Sequence, residues 1–142
     1  MRRTRKAFTM VELMVVVLIV GVLAAVAIPL MKGRTDTSKW SEAKTAMGTI
    51  ATALRTYGSE KGSFSGAPSL QEIGILDSDL DGTYFSHEAY AITSASASDG
   101  RTSFVITCTA ADSTRAGAPT SPASMTLTCN SGNGYLATFA GE

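Results

Sequence analysis

The sequence predicts an α+β fold in which a long N-terminal α-helix, first transmembrane and then amphipathic, packs on a small antiparallel β-sheet. Three observations predict it. An uncharged apolar run of 19 residues, 13–31, lies near the start of the chain. Apolar residues at helical spacing follow this run. The second half then holds four short segments of strand composition, separated by polar turns, which is the pattern of an antiparallel meander.

The start of the chain combines positive charge, a carboxylate and an apolar run. Four of its first six residues are basic: Arg2, Arg3, Arg5 and Lys6. Positive charge beside an apolar span holds that end in the cytoplasm. The run is close to the roughly 20 residues that a helix needs to cross a bilayer. Glu12 stands at its head, and ionisable residues in such segments are rare and usually functional.

These residues resemble the N-terminus of type IV pilins and of type II secretion pseudopilins. Family precursors have a short basic leader, cut just before a residue that is usually Phe, with a Glu four residues further on. Phe8 and Glu12 match that pattern in the segment Phe-Thr-Met-Val-Glu. Gly21 and Pro29 also fall where the family often has these residues. The family usually has Gly before the cut, and this chain has Ala7 there.

The resemblance implies the pilin fold and a structural role. A prepilin peptidase would cut between Ala7 and Phe8 and N-methylate Phe8. An inner-membrane assembly platform would then build a helical homo-oligomeric filament. Pairing between the new α-amine of one subunit and Glu12 of a neighbour would set the register, because each charge is costly alone in an apolar setting.

The family resemblance also implies a location. The precursor would sit in the bacterial inner membrane as a single-pass protein with its N-terminus in the cytoplasm. The mature protein would end in an extracellular type IV pilus. The alternative is a pseudopilin of type II secretion, which forms a periplasmic pseudopilus.

Other interpretations of the N-terminal segment remain open at this point. A secretory signal peptide would explain the basic start, the apolar middle and the small residues at 25–27, but Glu12 fits poorly in its apolar region. A plain membrane anchor would not need the residues at 8–12. A twin-arginine signal is suggested only by Arg2 and Arg3. From a different class comes a membrane-tethered calcium-binding module that never polymerises.

The charge balance of the chain argues against nucleic-acid binding. The chain has 12 Lys and Arg against 12 Asp and Glu. Loss of the leader removes four basic residues, which leaves eight against 12, or a net charge of −4 before the new amine is counted. Nucleic-acid binding would need a basic stripe. Paired carboxylates with a base, a nucleophile motif and a phosphate loop are not recognisable either, so no enzyme is expected.

The predicted domain boundaries follow the changes in pattern. They are a leader at 1–7, a membrane and filament-core helix at 8–31, and a globular domain at 32–142, with an amphipathic helix at 36–57, a loop at 58–82 and a sheet at 83–139. Pro29 is expected to kink the helix because it removes a backbone donor. Gly58 is the expected stop. The apolar helix face contains Trp40, Ala43, Met47, Ile50, Ala51, Leu54 and Tyr57.

The rest of the domain is predicted from turn signals and alternation. Ser69 with Glu72 fits a capping box for a short helix at 69–76. Strands are expected at 83–93, 101–110, 124–129 and 134–139. A polar turn at 94–100 ends in Asp99-Gly100, which is a hairpin signal. Residues 112–122 form a longer loop.

Cys108 and Cys129 lie in the part expected outside the cytoplasm, where an even cysteine count predicts a disulfide. Alternation places both on the core side of their strands. A metal pair lacks other ligands nearby, whereas a pair with the single histidine, His87, stays open. A C-terminal disulfide loop is common in the pilin family, and the spanned loop at 110–122 would be an exposed filament surface.

One acidic segment matches the EF-hand loop pattern, D-x-D-x-D-G-x5-E. Asp77, Asp79 and Asp81 would supply three carboxylates, Gly82 the sharp turn, and Glu88 the bidentate ligand for calcium. An EF-hand also needs a helix after the loop, but residues 84–92 predict a strand. Short Asp-Gly turns before a strand are also common without metal.

Overall fold

The computed structural model of the chain describes residues 7–141. Its helices are α1 (Met10–Lys61) and the short α2 (Asp77–Leu80). Its strands are β1 (Tyr90–Ser98), β2 (Arg101–Thr109), β3 (Ser124–Cys129) and β4 (Thr138–Gly141). They form one antiparallel sheet in the order β1-β2-β3-β4. The predicted α+β fold, a long helix packed on an antiparallel meander, is therefore confirmed.

The chain divides into two compact units between Arg34 and Thr35. In the first unit, helix α1 begins after Thr9, whose hydroxyl accepts a hydrogen bond from the Glu12 backbone N–H at 3.2 Å. Such a cap satisfies one of the backbone donors that a helix start leaves free. Pro29 lies inside the helix, and its expected kink stays a prediction.

The core of the second unit lies between α1 and the sheet. The predicted apolar stripe is buried from Trp40 to Leu54, and Tyr57 at its end is half-buried. Phe104 and Ile106 of β2 and Leu127 of β3 meet it from the sheet. The 3.6-residue period of the helix and the 2-residue period of the strands each turn one apolar face inward. Trp40 packs on Phe85, with ring centroids 5.0 Å apart.

The predicted hairpin turn at Asp99-Gly100 is confirmed. Ser98 pairs with Arg101 across a two-residue loop. Asp99 and Gly100 both have positive φ, 54° and 73°. A type I′ turn requires that conformation at both central residues, which Asp-Gly adopts readily. Strand β1 therefore runs to Ser98, and the turn is shorter than the predicted 94–100.

One predicted helix end and one predicted helix are wrong. Gly58 does not end helix α1, which continues to Lys61 and stops before Gly62 at φ 73°. Gly58 instead allows a close approach to β2, because a Cβ there would clash with the Thr102 hydroxyl. The short helix predicted at 69–76 does not form: residues 70–74 make a turn, although Ser69 and Glu72 make the expected reciprocal capping bonds.

The outer strands also start later than predicted. Strand β1 begins at Tyr90 rather than at residue 83, because the backbone N–H groups of residues 83–85 bind a side chain of α1 and not a neighbouring strand. Strand β4 begins at Thr138 rather than at residue 134. There a 3-10 turn, Ser131–Asn133, is closed by reciprocal hydrogen bonds between Asn130 and Asn133. Strands β2 and β3 agree with the predictions to within one residue.

Candidate functional site

The bond expected to be cut lies outside the helix. Ala7 and Phe8 are exposed and precede the first helical residue, Met10. The Phe8 side chain is 80% exposed. A peptidase needs accessible backbone outside a helix, and both residues meet that condition. Residues 1–6 of the predicted leader lie outside the residues that the structure describes.

Glu12 occupies the third position of helix α1 and is exposed. A carboxylate in the first turn is favoured by the helix dipole. Thr9 and Glu12 together have the capping-box spacing, which sequence reasoning missed. Glu12 therefore has a local role at the helix start. It also presents a carboxylate one turn beyond Phe8, where a cation from another molecule can reach it.

The apolar part of α1 is exposed throughout. An 18-residue stretch of this helix is strongly apolar, and none of it is buried within the molecule. On a soluble protein, a contiguous exposed apolar surface of this size marks a site of membrane or protein contact. By length and hydropathy the segment can cross a membrane. A cleaved signal sequence passes the same test, so N-terminal processing separates the two.

The predicted Cys108–Cys129 disulfide is wrong in this structure. Both cysteines are free and buried, so the expected core-side placement is confirmed. Cys108 lies opposite Met125, however, and Cys129 lies opposite Phe104. The two are thus four residues out of register, or about 13 Å along the strands. A disulfide requires Cα atoms within about 7 Å. The alternation of side chains along each strand predicted that both cysteines face the core, but it did not predict how β2 and β3 pair.

The Cys108 thiol is also expected to be unreactive. Burial, followed by the nearby negative charge of Asp112, raises its pKa to about 12. A thiol that stays protonated is a poor nucleophile. His87, the other half of the open Cys-His possibility, instead contacts Asp81 at 3.1 Å.

The carboxylates of the predicted calcium loop do not converge. Asp77 accepts a hydrogen bond from the Gln71 side chain, and Asp79 accepts one from the Leu76 backbone. Asp81 binds His87 and Arg115. Residues 77–80 are helical rather than looped. Within residues 7–141, no group of three or more His, Cys, Asp or Glu side chains is arranged to hold a metal, so the predicted EF-hand geometry with Glu88 is wrong.

Calcium binding itself stays a prediction, and thermal unfolding tests it. If calcium gathers these carboxylates, the melting temperature of the chain should rise in millimolar calcium relative to chelator, because a ligand that binds only the folded state stabilises it. The double variant Asp79→Asn, Asp81→Asn should abolish that difference. Equal melting temperatures of the unsubstituted chain in calcium and in chelator would reject the site.

Glu42 makes a structural contact in the globular unit that sequence reasoning missed. Its carboxylate accepts backbone hydrogen bonds from Thr83, Tyr84 and Phe85 at 3.1, 2.8 and 3.0 Å. Gly82 has no Cβ where that carboxylate lies, and a Cβ there would clash with it. Three converging N–H groups form a strong anion site, which this carboxylate fills from within the chain. The Asp-Gly dipeptide at 81–82 was a signal for it.

Together the fold and the N-terminal segment define a pilin-like α+β protein. Residues 2–28 match the family model described as the prokaryotic N-terminal methylation motif. That match includes Ala7, Phe8 and Glu12.

Its relatives include a type IV pilin, a type II secretion system protein and a fimbrial protein. The chain is 47% identical over 60 residues to the type IV major pilin protein PilA of Myxococcus xanthus, covering 42% of this chain and 27% of the pilin. It is 45% identical over 56 residues to the type II secretion system core protein G of Pseudomonas aeruginosa, covering 39% of each. It is 39% identical over 62 residues to the fimbrial protein EcpC of Eikenella corrodens, covering 44% of this chain and 40% of EcpC.

The chain spans about a quarter to two fifths of the length of these curated relatives. The chain is thus similar to type IV pilins and to a type II secretion pseudopilin. It carries the methylation motif at its N-terminus.

Proposed function

We propose that the chain is a structural subunit of a type IV pilus filament. The observation that carries the proposal is the exposed apolar helix headed by Glu12, inside a matched methylation motif. Such a helix needs an apolar surrounding. A bilayer supplies it before assembly, and the same helices of other copies supply it in a filament.

The order of events follows from the charges. Positive leader residues hold the N-terminus in the cytoplasm while the apolar helix spans the inner membrane. A prepilin peptidase cuts between Ala7 and Phe8 and methylates the new α-amine. That amine is a cation one residue before the helix cap, Thr9. In the filament it pairs with Glu12 of a neighbouring copy, which removes two unpaired charges from an apolar core.

The proposed partners follow from the same steps. They are other copies of this chain in a helical filament, the prepilin peptidase, an inner-membrane assembly platform, and the membrane before assembly. The proposed final location is an extracellular pilus.

The intact mass of the protein purified from cells, with N-terminal fragmentation, tests the processing step. We expect a chain that begins at methylated Phe8, because Ala7 is nearly as small as the usual glycine and the bond is exposed. A chain beginning at Ile28 would instead identify an ordinary signal peptide. The proposed roles of the helix and of Glu12 would then be wrong.

A second candidate is a type II secretion pseudopilin, which forms a periplasmic pseudopilus. The 45% identity to core protein G over 56 residues favours it nearly as strongly as the match to PilA favours the pilus. Deletion of the gene separates the two. Loss of surface filaments supports the pilus, and loss of secreted enzymes with surface filaments retained supports the pseudopilus.

A further inference from the structure

The segment between β2 and β3 is held down without a covalent link. After a 3-10 turn at Ala110–Asp112 the chain runs to Ser124 without helix or strand. A disulfide was expected to fasten this loop, but Cys108 and Cys129 are free. Most of the segment is exposed, yet Pro119 is buried and Ala118 packs against the core. Other contacts must therefore hold it.

One end is fastened near residues 81–86. The Ser113 hydroxyl donates to the Tyr84 carbonyl at 3.0 Å and accepts from the Ser86 backbone N–H at 3.2 Å. The Thr114 backbone N–H donates to the Ser86 hydroxyl at 3.0 Å. The Arg115 guanidinium then lies 3.4 Å from the second carboxylate oxygen of Asp81. The hydrogen bonds of the Ser113 and Ser86 hydroxyls join neutral groups, whereas the contact between Arg115 and Asp81 requires an ionised carboxylate.

The other end is fastened to helix α1. One carboxylate oxygen of Asp36 accepts three hydrogen bonds, from the Thr120 backbone N–H and hydroxyl and from the Ser121 backbone N–H, at 3.1–3.2 Å. Asp36 is buried, with 8% of its surface exposed. Its other oxygen lies 3.8 Å from the Lys39 ammonium. Bonds to a charged acceptor are roughly twice as strong as neutral ones.

We propose that residues 113–121, which we call the strap, form a releasable segment that two carboxylates hold closed, Asp36 at one end and Asp81 at the other. Neutralising both carboxylates leaves the neutral contacts of Ser113 and Thr114 and the packing of Pro119 and Ala118. The strap then lifts from the Asp36 end and withdraws Pro119 and Ala118 from the core. Release changes the surface that this side of the globular unit presents, whether or not the chain polymerises.

The charged groups around each carboxylate define how pH acts on the strap. Burial raises the pKa of Asp36, but the bonds from Thr120 and Ser121 and the charge of Lys39 outweigh it, so its pKa lies below the ordinary 3.8. Hydrogen bonds from the His87 backbone and ring, helped by the charge of Arg115, likewise lower the pKa of Asp81. A carboxylate with a lowered pKa contributes its full stability above its ordinary pKa. That stability is lost as pH falls through the pKa of the carboxylate in the folded protein.

His87 acts in the opposite direction. Its hydrogen bond to Asp81, with the negative charges of Asp77, Asp81 and Glu88, raises its pKa above 6.5. The stability that His87 contributes is complete below pH 6.5 and is lost as pH rises through the pKa of His87 in the folded protein. The strap should therefore be held most firmly between about pH 4 and pH 6.5. It should loosen slightly at higher pH and open in acid.

Trypsin cleavage after Arg115 in the full chain, held in detergent micelles, tests the proposal. Arg115 lies within the strap, and proteases cut segments that open locally. Asp36→Asn is the informative variant, because Asp36 holds the far end of the strap and does not contact Arg115. We expect at least about a tenfold faster cleavage than in the unsubstituted chain, following the population of the open strap. Asp36→Asn with Asp81→Asn should be faster still.

The matched control is Asp112→Asn, an exposed aspartate next to the strap. It should leave the cleavage rate unchanged. Hydrogen exchange of a strap peptide and a β2 peptide in the same variants separates local opening from unfolding. Faster exchange in the strap with β2 unchanged supports release. Three results would overturn the proposal. They are an unchanged cleavage rate in the double variant, hydrogen exchange that rises equally in the strap and in β2, and an equally large effect of Asp112→Asn on cleavage.

Discussion

Replacing Glu12 with alanine is expected to abolish filament assembly while leaving the globular unit folded. In the proposed filament the α-amine at Phe8 would lose its proposed charged partner in an apolar core. Breaking a buried pair by removing one partner costs about 3–5 kcal/mol. That is equivalent to a loss of roughly 100-fold or more in the association constant at each interface. The globular unit is unaffected because Glu12 precedes its first residue, Thr35.

Sheared surface filaments, quantified against total cellular protein, measure the effect of Glu12→Ala. Glu60→Ala is the matched control, since Glu60 is an exposed glutamate near the other end of the same helix. Glu60→Ala should assemble normally. The melting temperature of the purified Glu12→Ala chain verifies folding. Normal filaments from Glu12→Ala would contradict the proposed pairing. Absence of filaments from the unsubstituted chain as well would favour the membrane-tethered module.

Replacing Glu42 with alanine is expected to destabilise the globular unit by about 2–4 kcal/mol. The carboxylate satisfies three backbone N–H groups at the entrance to the sheet. Phe85 is among them, and its ring is fully buried beside Trp40. Without the carboxylate, water must reach these donors or they stay unpaired. Either outcome loosens the packing of Phe85.

Urea unfolding followed by Trp40 fluorescence measures this loss, because Trp40 is the only tryptophan and lies in the core. Glu42→Gln keeps one acceptor oxygen and should show a smaller shift in the midpoint. Gly82→Ala should also destabilise the unsubstituted chain, since its Cβ would clash with the Glu42 carboxylate. The same change should cost less in a Glu42→Ala background. Additive effects of the two changes would mean that the carboxylate and Gly82 do not interact.

Local patterns in the sequence predicted much of the fold. The apolar period of α1 identified its buried face from Trp40 to Leu54, because helical spacing and burial describe the same geometry. Asp99-Gly100 identified the hairpin, because few residue pairs adopt two positive φ angles. The methylation segment around Phe8 and Glu12 is contiguous, so reading it needed no tertiary contact.

Predictions that depended on distant residues were the ones that failed. Alternation placed Cys108 and Cys129 on the correct face, but pairing across strands β2 and β3 separated them. The EF-hand pattern at 77–88 depended on convergence, and each aspartate found a different partner. Strand β1 was expected from residue 83, but Glu42, 41 positions earlier in the chain, binds the backbone there.

The sequence by itself determined the class of the molecule: a basic start, an apolar helix headed by Glu12, an amphipathic continuation and an antiparallel meander. Each of these depends on residues close together in the chain, whose spacing is set by helix and strand geometry. Only the tertiary structure decided how the globular unit is fastened. Asp36 reaches Thr120, Glu42 reaches residues 83–85, and Asp81 reaches Arg115. A single carboxylate has no periodicity, so its partner becomes apparent only when the chain is folded.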